Sequence, residues 1–174
     1  TKESTKKAQE VYQIFVKGDL LPTNSRTAEM AKLTENASRD VDIAFANELS
    51  IISDKLGIDV WELIELANHH PRVNILNPGP GVGGHCIAVD PWFIVSSAQE
   101  EAKLIRTARE VNDGKPAYVT AKITEAVEAE GADSIAALGI AFKPDIDDLR
   151  ESPALSIVQQ MAEKWPEKNI LVAE

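Results

Sequence analysis

Hydrophobic residues follow a helical period for most of the chain and gather into strand-like runs only near its end. Val11, Ile14 and Phe15 recur at helical spacing between Thr5 and Val16, with Ser4 as the expected N-cap and Gly18 as the stop. After Pro22, Ser25 is placed to cap a much longer helix through Met30, Leu33, Ala37, Val41, Ala44, Phe45, Leu49, Ile52 and Leu56, closed by Gly57. With so few breakers, this helix is expected to organise the fold. Asp59 followed by Glu62 forms a capping-box-like start for a helix from Val60 to about Asn68. Trp61, Leu63, Ile64 and Leu66 nearly encircle that helix and predict burial.

Prolines and glycines crowd the stretch from His69 to Gly84, which predicts a loop leading into a helix near His85. Pro91 leaves two readings open: a helix from Gly84 that breaks near Asp90, or a new helix capped by Asp90 with Pro91 at its first position. Two helices are expected next, about Gln99 to Asn112 and Pro116 to Glu130, separated by Asp113-Gly114 and ended by Gly131. Ser134 to Phe142 and Ile170 to Ala173 read as buried strands on either side of an amphipathic helix from Ser152 to Trp165, a βαβ unit. Parallel sheets do not stop at two strands, and the chain opens at Thr1 and ends just after the second run, so a piece of a larger protein is expected.

Charge narrows the function classes. Lys and Arg number 18 against 28 Asp and Glu, a formal net charge of −10, which argues against nucleic acid or a polybasic membrane surface as partner. The composition, 44% hydrophobic and 26% charged, is that of a soluble globular protein, and no apolar run nears the ~20 residues of a membrane span. A lone cysteine, Cys86, with no signal-peptide pattern ahead of it, points to a reducing cytoplasm.

Cys86 follows Gly83-Gly84 and His85 near a helix start, where unsatisfied amides and the helix dipole stabilise a thiolate. The bland reading is a small buried hydrophobe. Asp90, four residues on, could share a face with Cys86 and take a proton from water, or simply cap the helix at Pro91. Lys32 and Asn36 are likewise four apart and could donate to a developing oxyanion, although such a pair is commonly a solvated face. His69, His70 and His85 are spaced too irregularly for a zinc site, so no metal is expected. Lys143 and Arg150 stand in an acidic stretch at the end of a strand, where open α/β sheets bind ligands. A nucleotide phosphate and surface pairing with Asp145, Asp147 or Asp148 explain them equally well.

Together these pieces resemble the nucleotide-sugar 6-dehydrogenase family, which includes the UDP-glucose and GDP-mannose dehydrogenases. Gly83-Gly84-His85-Cys86-Ile87 with Asp90-Pro91 resembles its catalytic-cysteine motif, Ala28 to Asn36 its Lys/Asn helix, and Gly139 to Pro153 its third block. The runs Thr23 to Met30, His70 to Leu76 and Pro78 to Val95 look closest to the UDP-N-acetyl-D-mannosamine dehydrogenase branch.

The resemblance implies a mainly α-helical central domain, like the C-terminal domain of 6-phosphogluconate dehydrogenase, followed by an incomplete α/β Rossmann-like unit. Residues 1–24 would be the tail of an absent N-terminal NAD-binding domain with its connector. Residues 25–115 would form the central, dimerising domain with the cysteine, and 116–174 a linking helix and the first βαβ unit of the UDP-sugar-binding domain. It implies oxidation of a UDP-sugar C6 alcohol to a carboxylate with NAD, for cell-surface polysaccharide synthesis, in a homodimer built on the long helix. Cys86 would be the nucleophile, Lys32 and Asn36 the oxyanion donors and Asp90 the group assisting hydrolysis. Lys143 and Arg72 would contact substrate, and Arg150 the NAD phosphates. Without the NAD-binding domain, this chain alone is not expected to turn over. A helical dimerisation module without chemistry, and a cysteine hydrolase pairing Cys86 with His69 or His70, are the readings from other classes.

Overall fold

A computed structural model describes residues 1–143 and 145–173; Pro144, within the third block, and Glu174 lie outside the described residues. Residues 1–32 and 33–174 form two compact units.

The first unit opens with α1 (Lys2–Tyr12), which starts earlier than the apolar spacing predicts. Thr1, not Ser4, is its cap, accepting from the Ser4 amide at 3.1 Å. Val11, Ile14 and Phe15 are exposed, so the spacing that predicts a helix does not bury it. The long helix α2 (Ser25–Leu56) has the expected bounds, but its cap is Asn24, whose Oδ1 accepts from the Thr27 amide at 3.0 Å.

In the second unit, the buried residues of α2 are Ala37, Asp40, Ala44, Ala46, Asn47 and Ser53, small or polar side chains rather than the large apolar ones. Phe45, Ile52 and Leu56 are exposed. Helix α3 (Val60–Asn68) begins as expected, with the Asp59 carboxylate accepting from the Trp61 and Glu62 amides. Its encircling apolar residues do not predict its burial: Ile64 alone is buried, while Trp61 and Leu66 are exposed.

Pro91 resolves in favour of a new helix, α4 (Asp90–Ser97), although Val89 rather than Asp90 is its N-cap. Ala37, Ile94, Val95 and Ala102 form a core beneath it, flanked by Leu33 and Ile105. The two helices expected after Gln99 are one, α5 (Lys103–Glu130), with Pro116 inside it and Gly131 ending it in the left-handed conformation at φ 61°. Proline removes a helical hydrogen bond, but tertiary contacts on both sides outweigh that loss. Arg109, Asn112 and Lys115 are anchored to α2 through Asp40, Asn47 and Ser50. Beyond the proline, Val119, Ile123 and Val127 pack with Ile157, Met161 and Trp165.

The chain closes with β1 (Ser134–Leu138), α6 (Pro153–Lys164) and β2 (Asn169–Ala173). The strands are parallel, in register from Ser134 opposite Asn169 to Leu138 opposite Ala173. Ser152 caps α6, accepting from the Leu155 amide at 3.2 Å. The strands are only half buried: Ile135 and Ile170 face the α6 core, while Leu138, Leu171 and Val172 are exposed. The architecture is the expected one, a helical body followed by a small parallel α/β unit. No described helix is long and apolar enough to cross a membrane.

Candidate active site

The Gly-rich loop is shaped by what lies against it. A Cβ on Gly83 would stand 2.5 Å from the Glu151 carbonyl oxygen and 2.7 Å from Phe142 Cβ, so only glycine fits. Gly84, at φ +81°, lies under the Phe142 ring, and its amide donates to the Arg150 carbonyl at 3.3 Å. The segment before α6 therefore packs directly against the loop that carries Cys86.

Cys86 itself sits in a turn, not on a helix. Its carbonyl accepts from the Val89 amide at 3.1 Å and the Asp90 amide at 2.8 Å, so a single helical turn joins Cys86 to the start of α4. The thiol is free and exposed, which removes the reading of a buried hydrophobe. It lines a cavity of about 470 Å³ together with Arg39, His85, Phe142 and Lys143.

Asp90 does not cap α4. Its Oδ2 accepts from Asn36 Nδ2 at 2.6 Å, and both side chains are half buried. Asn36 therefore reaches the Cys86 turn from α2, spending one N–H on Asp90 and keeping a second. Lys32 is an exposed residue one turn earlier on the same helix. Lys143 Nζ lies 5.7 Å from the centre of the Phe142 ring, at the rim of the cavity.

Arg150 grips Asp148 in a fork, with Nε at 2.9 and 3.1 Å from the two carboxylate oxygens and Nη2 at 2.6 Å from Oδ2. The side-chain bonds from Arg150, and then its backbone N–H, hold the Asp148 carboxyl down to about 2, with His85 adding a smaller pull. The Arg150 guanidinium is raised in turn, first by its bonds to Asp148 and least by Cys86. Arg150 thus adjoins the cysteine loop, where its carbonyl takes the Gly84 amide, and its Nη1 is left outside the fork. Arg72 is exposed in the turn after α3 and does not line the cavity; neither do His69 and His70. A Cys–His pair with either histidine is not formed.

Sequence reasoning missed Arg39 and Phe142 at the cavity and the polar groups buried between α2 and α5. Arg39 had a signal, standing three residues after Asn36 on one helix face. Asp40 and Asn47 had one too. They fall in the 3-4-3 spacing of Ala37, Asp40, Ala44 and Asn47, polar residues at core positions of a helix.

Residues 26–114 match the model of the UDP-glucose/GDP-mannose dehydrogenase family, central domain, and residues 136–170 that of the same family's UDP binding domain. The chain is 62% identical over 174 residues to a UDP-N-acetyl-D-mannosamine dehydrogenase of Campylobacter jejuni, covering 100% of this chain and 42% of that protein. It is 62% identical over 164 residues to an NDP-N-acetyl-D-galactosaminuronic acid dehydrogenase of Ralstonia nicotianae, covering 94% of this chain and 39% of that protein. A solved UDP-D-ManNAc dehydrogenase of Pyrococcus horikoshii superposes with a TM-score of 0.88 at 42% identity, covering 98% of this chain and 43% of that one. The chain thus spans about two fifths of the length of these relatives. With the central-domain model covering half of its residues and the UDP-binding model following in order, the chain belongs to the UDP-glucose/GDP-mannose dehydrogenase family.

Proposed function

We propose that this chain is the central segment, with the start of the UDP-binding domain, of an NAD-dependent UDP-sugar 6-dehydrogenase. Its preferred substrate in this reading is UDP-N-acetyl-D-mannosamine. The observation that carries the reading is the exposed Cys86 thiol beside one cavity with Lys143, joined by one turn to an Asp90 already held by Asn36. The names of the Campylobacter jejuni and Pyrococcus horikoshii relatives support the sugar, while the Ralstonia nicotianae relative is named for an N-acetyl-D-galactosaminuronic acid.

In this reading the Cys86 thiolate adds to the C6 aldehyde, forming a C–S bond and moving the carbonyl electron pair onto oxygen. The remaining Asn36 N–H and the Lys32 ammonium stabilise that oxyanion. Loss of hydride from the thiohemiacetal restores the carbonyl as a thioester. Asp90, oriented by Asn36, accepts a proton from water as the water adds to the thioester carbon, and the thiolate leaves as the carboxylate forms. Lys143 at the cavity rim holds an anionic part of the substrate, and Arg72 contacts substrate from outside the cavity.

NAD, when bound, is the hydride acceptor for both oxidations. This chain fits only its anionic edge: Arg150 is exposed with Nη1 free of the Asp148 fork, and the G-x-G-x-x-G spacing of Gly79, Gly81 and Gly84 lies in the cysteine loop after α3 rather than between a strand and a helix. The dinucleotide site proper therefore belongs to the rest of the longer protein. Self-association through α2 and α3 is part of the same reading, since Phe45, Ile52, Leu56, Trp61 and Leu66 expose large apolar side chains there.

The test is turnover of the complete protein with each nucleotide sugar. Cys86→Ser is expected to cut carboxylate formation from UDP-N-acetylmannosamine by about a thousandfold or more. A variant that oxidises at the wild-type rate would remove the reading. UDP-glucose or GDP-mannose as the better substrate would place the protein in a sister branch, and inertness of wild type toward all three would favour a dimerisation module.

A further inference from the structure

A row of hydrogen bonds runs from the middle of α5 across α2 to the first residues of the Gly-rich loop. Arg109 Nη1 donates to Asp40 Oδ1 at 2.6 Å. Asn112 Nδ2 donates to the same oxygen at 2.8 Å and to the Asp40 carbonyl at 3.0 Å. Asn47 Nδ2 donates to Asn112 Oδ1 at 2.8 Å, and the Gly79 amide donates to Asn47 Oδ1 at 2.8 Å. Asp40 and Asn47 are 0% exposed, Arg109 and Asn112 1%.

The direction of this row is dictated by its buried ion pair. Both Asp40 groups met by Asn112 are acceptors, so Asn112 must turn its NH₂ toward them and its oxygen toward Asn47. Asn47 must then present its own NH₂ to Asn112 and its oxygen to the loop. Inverting either amide would set oxygen against oxygen between side chains buried from solvent. The Gly79 amide is thus bound to an acceptor whose place is set by charges two hydrogen bonds away. Downstream, Gly81 lies against Pro116 and Pro153, Gly83 against Glu151, and the Gly84 amide on the Arg150 carbonyl. A loop held at Gly79 and again at Gly81 to Gly84 has little freedom left when it reaches Cys86.

We propose that Asn47 is a positioning residue for Cys86, transmitting the fixed polarity of the Arg109–Asp40–Asn112 cluster to the Gly79 amide and so setting where the loop presents the thiol. Only its consequence for turnover rests on the proposed function. Cys86 alkylation by iodoacetamide and Gly79 amide exchange by NMR, in the full chain, test it directly. In Asn47→Ala, Gly79 is expected to exchange about tenfold faster, the factor set by one hydrogen bond of ordinary net strength. Core amides such as Ala108 keep their protection, and the Cys86 alkylation rate departs from wild type. In Asn47→Asp the carboxylate still accepts from Gly79 but opposes Asn112 Oδ1, whereas the protonated acid can donate to it. Acidification is therefore expected to bring both rates in that variant back to those of wild type at the same pH, which a residue that merely fills space would not do.

A folded Asn47→Ala with wild-type Gly79 exchange or wild-type alkylation overturns the proposal. If Asn47→Ala does not fold, Asn47→Asp decides, and rates in it that do not recover on acidification overturn the proposal equally. Failure of the proposed function looks different: Cys86→Ser in the complete protein would turn over normally while the Gly79 and Asn47→Asp responses remained.

Discussion

Asp148 and Arg150 show how a residue pair holds the wall of the cavity. The depressed Asp148 carboxyl means that the folded chain resists protonation there more than the unfolded chain does. Stability from the fork is therefore complete above the ordinary carboxylate value of about 3.9 and is lost as pH falls through about 2. Carbon-detected NMR titration of Asp148 should give a midpoint near 2 in wild type, returning toward the ordinary value in Arg150→Gln. Gly83 is the second residue-scale test. Its Cβ in Gly83→Ala would meet backbone at 2.5 Å, and that backbone cannot swing aside as a side-chain end could. Overpacking of this kind costs about 1–3 kcal/mol. Urea denaturation should show a loss in that range, with Cys86 alkylation altered in the folded fraction.

At the scale of elements, α5 is the instructive case. Asp113-Gly114 followed by Pro116 has the residues of a helix boundary, yet the helix runs through it. Gly114 has open space where a Cβ would sit and no positive φ, so nothing in the fold requires glycine there. Gly114→Ala should stabilise the chain by about 0.5–1 kcal/mol, raising the thermal midpoint by about 1–4 °C, read by calorimetry. No gain would mean that the helix is interrupted there in solution. Pro116 is a different matter: its ring lies 3.2 Å from the Cβ position of Gly81, so it packs against the loop as well as ending local hydrogen bonding. On α2, the same 3.6-residue period generates two usable faces. The small and polar one packs inward and the large apolar one stays exposed.

At the scale of the whole molecule, the Arg109–Asp40 pair joins α5 to α2 with both charges taken out of solvent. Burial pushes the Asp40 carboxyl up, against the opposing pull of Arg109 first and of the Asn112 bond after it. Asp40→Ala leaves Arg109 its bond to Asp113, but Arg109→Met strands the buried Asp40 carboxylate and should cost about 3–5 kcal/mol, whereas Arg109→Met with Asp40→Ala should recover much of it. Denaturation of the two variants side by side checks this, and equal losses would show that the charges are not coupled. Phe45→Glu with Trp61→Glu should dissociate any self-associated species in sedimentation analysis; unchanged sedimentation of a dimer would place the interface elsewhere. The sequence by itself determined the helices of the body, the α/β close and the residue types around Cys86, because period, caps, glycines and motif order are local properties of the chain. Only the tertiary structure decided which face of α2 is buried, that α5 passes through Pro116, that Asp90 bonds Asn36 instead of capping α4, and that Arg150 and Phe142 meet the cysteine loop. These are choices between locally comparable alternatives, and the contacts that settle them join residues such as Asn36 and Asp90, 54 positions apart, whose cost and gain appear only once the chain is packed.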